Sequence, residues 1–244
     1  MTVRSMVVAS ALLLAIVASA AAAAPNPAPA TGPYDPQIRP ADFVKRIDNR
    51  WFPLRPGSVH RYAGVAEDGK QRQTGVVFVT HRTKKILGVR CRVVRDTGFT
   101  AGKPEERTFD WYAQDRAGNV WYFGEDSRDY RKGHWVRSSG SWKAGAHGAK
   151  PGILMLAEPQ AGQTYRQEYY PGHALDVATV LGPDGTVRLP FKRVRHALET
   201  SETSELEPGV VEHKYYAPGL GEIKSVEVQG GKEATRLVSV SRGR

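Results

Sequence analysis

The sequence predicts an all-β fold: a curved antiparallel meander sheet or half-barrel, with a long capping loop and little helix. Three observations predict it. Short runs rich in β-branched and aromatic residues recur at spacings of about 8–15 residues, separated by Gly, Pro and Asp turn signals. Residues 109–125 read as a hairpin with two chemically different faces. Helical periodicity is nearly absent: only residues 40–48 put Phe43, Val44 and Ile47 on one side, enough for two turns.

The first segment, 1–24, reads as a signal peptide. Arg4 supplies the positive end, residues 6–18 an apolar run of the right length, and residues 19–24 small cleavage-type side chains. The apolar run is too short to be a convincing membrane span. Residues 25–41 are rich in Pro and Ala and predict an extended tether. The remainder, 42–244, is long enough for one β domain with a substantial core. A secreted, periplasmic or cell-envelope location follows.

The strand patterns then run in order. Residues 59–65 stop at a Glu-Asp-Gly turn, and 74–82 are dense in β-branched side chains. Residues 86–96 contain Gly88, which suggests a bend. A Gly-Lys-Pro turn leads into 105–114 and the hairpin. Further strands are read at 165–170, 175–181, 186–191, 196–203, 210–216, 222–228 and 234–240.

In the hairpin, Asp115 and Gly118 bracket a short loop. Asp suits the start of a type I turn and Gly the left-handed position after it. Pairing outward sets Gln114 opposite Val120, Ala113 opposite Trp121, Tyr112 opposite Tyr122 and Trp111 opposite Phe123. One face then carries Phe109, Trp111, Trp121 and Phe123. The other carries Asp110, Tyr112, Gln114, Val120 and Tyr122. Residues 126–161 break the strand pattern and are rich in Gly and Pro. Trp135 and Trp142 within them need burial, so the segment is expected to cap the sheet.

Standard nucleophile, P-loop, dinucleotide and zinc-protease motifs do not occur, and the seven histidines are scattered. No cofactor and no metal are expected. Two constellations remain. The Pro171-Gly172 turn could bring Glu168, His173 and Asp176 to one rim, suited to acid–base work. Asp110 is an acid inside an aromatic strand, where acids are disfavoured. These four residues are the catalytic candidates. Asp110, Tyr112, Tyr122, Trp135, Trp142 and Tyr170 are the ligand-binding candidates, because tyrosines on a polar sheet face offer both stacking and hydroxyls.

The formal net charge is +10, and loss of residues 1–24 removes only Arg4. Such a chain is drawn to anionic envelope surfaces, although its bases are dispersed among acids. No nucleic-acid partner is expected, and the chain is expected to be a monomer. The one cysteine, Cys91, cannot form an internal disulfide and alternates with Val89 and Val93, as a small buried hydrophobe does.

Three motifs, at 56–62 (Pro-Gly-Ser-Val-His-Arg-Tyr), 110–115 (Asp-Trp-Tyr-Ala-Gln-Asp) and 215–221 (Tyr-Tyr-Ala-Pro-Gly-Leu-Gly), resemble those of exported bacterial proteins akin to the LolA/LppX-type carriers. The resemblance implies a curved antiparallel half-barrel that holds acyl chains. It carries no ligand residues over to this chain. The reading is a non-enzymatic exported protein that binds an amphipathic or lipid-like ligand. The alternatives are an enzyme using surface carboxylates, or a basic envelope-associated protein.

Overall fold

A computed structural model describes residues 32–243. The signal-peptide segment 1–24 and residues 25–31 of the tether lie outside the described residues. A 3₁₀ turn, Pro40–Asp42, precedes strand β1 (Phe43–Val44). A first meander follows: β2 (Ser58–Val65), β3 (Arg72–Ile86), β4 (Val89–Thr100), β5 (Lys103–Asp115) and β6 (Val120–Glu125). Next come β7 (Arg128–Arg131), β8 (His134–Arg137), β9 (Trp142–Lys143), β10 (Lys150–Met155), β11 (Thr164–Arg166) and β12 (Glu168–Tyr169). A second meander ends the chain: β13 (Asp176–Arg188), β14 (Arg193–Ser204), β15 (Val211–Ala217), β16 (Gly221–Gln229) and β17 (Ala234–Arg242). No α-helix occurs among the described residues.

The two meanders join at two seams into a nearly closed, barrel-like sheet. At one seam β17 runs antiparallel to β2, from Ala234↔Val65 to Arg242↔Ser58. At the other, β6 pairs with β10, β10 with β12, and β11 with β13. The β10–β12 link rests on two residue pairs, Lys150↔Tyr169 and Pro151↔Glu168. Closure of this kind satisfies backbone groups that an open sheet would leave at its edges.

The hairpin follows its predicted register for three pairs: Tyr112↔Tyr122, Ala113↔Trp121 and Gln114↔Val120. The predicted Trp111–Phe123 pair is replaced by a bulge, after which Asp110 faces Glu125. Gly124 enables it. Its φ is +113°, and a Cβ there would run into the Trp142 carbonyl oxygen. In the loop, the Gly118 amide donates to the Asp115 carbonyl at 3.1 Å and the Asn119 amide to the Asp115 carboxylate at 2.9 Å.

Three expectations change. Residues 40–48 form a 3₁₀ turn and then a short strand on the end of β5, because Phe43 packs edge-on against Trp121 and Phe123. Residues 126–161 are wall rather than a loop cap. β7 and β8 form a hairpin on the edge of β5, and β9 and β10 both pair with β6. The end of the tether is extended but docked: Tyr34 is buried, and its hydroxyl donates to the Pro151 carbonyl at 2.7 Å. Cys91 is fully buried, and burial pushes its thiol up to about 12.

Candidate functional site

Both faces of the β5–β6 hairpin are buried. On the aromatic face Trp111 is covered by Lys84, whose ammonium lies 3.4 Å from the ring centroid, and Phe123 is 0% exposed. The tyrosine face turns into the barrel. There it lines a cavity of about 340 Å³. Alternation along the strands supplies the lining: His60 and Tyr62 from β2, Val77 and Val79 from β3, Val94 and Asp96 from β4, and Thr108, Asp110 and Tyr112 from β5.

The lining is divided. Phe52, Leu54, Val77, Val79 and Val94 form an apolar side. Asp96, Glu106, Asp110, Glu222 and Glu233 form an acidic side. Among the described residues no Lys or Arg lines the cavity, although the chain holds 35 of them against 25 acids. The charge of this wall is thus opposite to the net charge of the chain.

Burial governs the titration of these groups. It pushes Asp96 up to about 6, with the Thr97 backbone amide holding it back and Glu106 adding to the rise. It pushes Glu222 up to about 8 against the pull of Lys214. Asp110 is held well above the usual carboxylate range, first by burial and then by Glu125 and Asp96. Burial lowers His60, so its ring is neutral near neutral pH.

A polar layer stands behind Tyr112. Tyr122 stacks on it at 4.8 Å, and Phe52 meets it edge-on at 5.5 Å. The Tyr122 hydroxyl lies 3.0 Å from Asp110 Oδ1 and 2.8 Å from Glu125 Oε2. That hydroxyl has one proton, so it donates to only one of the two carboxyls. The other contact is favourable when that carboxyl is protonated and donates to the tyrosine oxygen. Burial first, and then Glu106 and Asp176, raise Glu125 to about 7, with the Tyr122 and Asp110 contacts opposing. The trio can thus hold one carboxyl proton near neutrality.

The acidic row continues to Glu168 and Asp176. Burial raises Glu168 well above the usual range, and Asp176, Glu125 and Asp110 add to it. Burial also raises Asp176, against the Ser204 hydroxyl and Lys214. Burial pulls Lys214 down, but Glu202 and Glu212 pull it up more strongly, and it remains charged. Its ammonium lies 2.8 Å from Glu202 Oε2 and 3.3 Å from Glu212 Oε2.

The structure therefore brings Asp110, Glu168 and Asp176 into one electrostatic neighbourhood. His173 is exposed and stacks on Tyr170 at 4.2 Å, making no hydrogen bond to either carboxylate. Asp110 and Tyr112 line the cavity, and Tyr122 backs it. Trp142 is buried edge-on against Tyr122 at 5.4 Å. Trp135 lies on the β7–β8 hairpin beneath Arg107, 4.4 Å from its ring centroid. Neither Trp135 nor Tyr170 reaches the cavity. Sequence reasoning missed Asp96, Glu222, His60, Tyr62 and Gln73. Asp96 and Glu222 fall at the ends of the strands read at 86–96 and 222–228, so the signal that marked Asp110, an acid inside a strand, does not mark them. Among the described residues no group of three or more His, Cys, Asp or Glu side chains is placed to hold a metal ion.

No protein-family model matches the chain, and no curated protein matches it. Two solved structures are similar. One is a candidate exported protein with a YmcC-like fold from Bacteroides fragilis, 14% identical, with a TM-score of 0.41, over 79% of this chain and 99% of that one. The other is a candidate lipoprotein from Parabacteroides distasonis, 9% identical, with a TM-score of 0.39, over 78% of this chain and 97% of that one. Both likenesses are too loose to transfer a residue role. They do not bear on the resemblance to the LolA/LppX-type carriers.

Proposed function

We propose that this is an exported, non-enzymatic protein that holds a small amphipathic molecule inside its barrel. The observation that supports it is the divided cavity of about 340 Å³, apolar on the Phe52–Val79 side and lined by acids and tyrosines on the other. That volume sits at the lower end of the range for small-molecule pockets. The acidic side favours an amphipathic molecule over a long acyl chain, because hydrocarbon laid on carboxyl groups would leave them without partners. Export rests on Arg4 and the apolar run that follows it. Native mass spectrometry of the protein purified from its own host tests the reading. A co-purifying molecule of a few hundred daltons is expected, and a bare chain in every preparation would overturn it.

A second reading, attachment to an anionic envelope surface, is favoured by one feature. At the tip between β13 and β14, Phe191 is 50% exposed. Arg188, Lys192, Arg193 and Arg236 surround the tip, and none of them makes an ion pair among the described residues. An exposed apolar side chain on a base-rich tip suits an anionic bilayer interface. Co-sedimentation with phosphatidylglycerol vesicles that fades with salt and with Phe191→Asp is expected. Equal retention on phosphatidylcholine vesicles would defeat this reading.

A further inference from the structure

Two ladders of the second meander set bases directly opposite one another: Arg188↔Arg193 across β13–β14 and Lys224↔Arg236 across β16–β17. Like charges so opposed destabilise a sheet. In the β7–β8 ladder the opposed Arg128 and Arg137 share Asp126, at 3.0 and 3.7 Å. The second meander supplies no such acid: among the described residues none of its four opposed bases joins an ion pair. The two pairs also converge. Register shifts at Gly182 and Gly185 interrupt β13 before its tip, and such bulges bend a strand. The tip comes beside β17, where Arg188, Lys224 and Arg236 line one groove. Arg188, Lys192, Arg193 and Arg236 line a second groove that shares two of those bases. No Asp or Glu lines either groove among the described residues. Lys224 Nζ lies 4.6 Å from the Tyr215 ring centroid, a contact that leaves its charge in place. Val65, Val187 and Val238 give the first groove an apolar wall, and the exposed Phe191 sits between Pro190 and Lys192 of the second.

We propose that the two grooves together hold the phosphate of an anionic phospholipid headgroup at a bilayer surface. This rests on the envelope-attachment reading and adds the group recognised and the residues that recognise it. A phosphate supplies the missing counter-charge to both ladders at once. Arginine suits it, because the planar guanidinium donates two parallel N–H bonds to phosphate oxygens. Arg188 and Arg236, common to both grooves, would take the phosphate between the two hairpins. The apolar wall and Phe191 favour a lipid over a free phosphate, because they offer hydrocarbon a place beside the charge.

The test is flotation with mixed phosphatidylglycerol–phosphatidylcholine vesicles and with vesicles of phosphatidylcholine alone. The wild type is expected on the mixed vesicles only. Arg188→Gln/Arg236→Gln is expected to partition at least about tenfold more weakly, since each base at such a surface is worth about fivefold. Lys85→Gln/Arg90→Gln removes the same charge from another opposed, exposed pair that lines neither groove, and is expected to lose less than about threefold. Both variants relieve like-charge repulsion, so neither is expected to melt below the wild type. A lower melting temperature for the groove variant would show its bases to be structural and overturn the site. Equal losses of partition from the two variants would overturn the site and leave the attachment reading standing. No partition, or equal partition on both vesicle types, would end both. Retention on a soluble polyphosphate with no flotation would assign the grooves to a free polyanion and overturn the lipid.

Discussion

Two hairpins of this barrel obey the same local rules and end in opposite surroundings. In β5–β6 both faces are covered: Trp111 and Phe123 on one side, Asp110 and Tyr122 on the other. At the β13–β14 tip, Leu189 is buried while Phe191, two residues on, stands 50% exposed among bases. Alternation creates two faces in both places. What differs is the neighbour. β5–β6 has β1, β9 and β10 laid beside or across it, whereas the β13–β14 turn extends past the second core of Val187, Leu189, Val194 and Leu237 into solvent. A two-faced strand pair therefore states that its sides differ, and its neighbours decide which side meets water.

The contrast can be broken by substitution, from the largest effect down. Phe123→Ala removes a fully buried ring and is expected to cost about 3–5 kcal/mol, measured by urea unfolding. A loss below about 1 kcal/mol would mean that the aromatic face is not core. Gly124→Ala meets both a positive φ and the Trp142 carbonyl, and is expected to cost about 2–3 kcal/mol. An unchanged midpoint would remove the bulge as the reason Asp110 faces Glu125.

The third prediction concerns pH. Asp96, Glu125 and Glu222 sit above their unfolded values, at about 6, 7 and 8. The folded state then binds more protons than the unfolded chain across that window, so these groups contribute stability that is full at low pH. It is lost as pH rises from about 4 to about 8. The ligand-free protein is expected to melt at least about 3 °C lower at pH 8 than at pH 5, the shift that about 1 kcal/mol produces at this size. Glu222→Gln should flatten that slope. A melting temperature that rises over the same interval would contradict the acidic interior. The smallest effect is at the tip: Phe191→Ser should change stability by less than about 0.5 kcal/mol. A larger loss would show that the tip is packed after all.

Much of the fold was legible before any coordinates. The β5–β6 register at Tyr112, Ala113 and Gln114 follows from one loop with Asp and Gly at its ends, because turn length sets register and alternation sets the face. The site was legible only in part. Asp110 and Tyr112 were found because an acid and a tyrosine alternate inside an aromatic strand. Asp96 and Glu222 sit at the ends of their sequence-read strands, where an acid is unremarkable, and only the strand pairing brings them to the same cavity as Asp110. Trp135 and Trp142 pointed to burial, yet burial against a wall and burial over a pocket leave the same mark in a sequence.

By itself, then, the sequence determined the all-β class, most of the longer strands, the two-faced hairpin and the excess of base. Those are local matters, set by side-chain period and by residues that tolerate special backbone angles. Only the tertiary structure decided that the sheet nearly closes, that five acids from separate strands share one wall, and that a base-rich chain encloses an acidic cavity. The reason is distance along the chain. Closure depends on pairs such as Ser58↔Arg242 and Tyr122↔Gly152, and no local pattern specifies them. Once they form, every inward residue shares one low-dielectric space, and the charge of that space is a property of the barrel rather than of any strand in it.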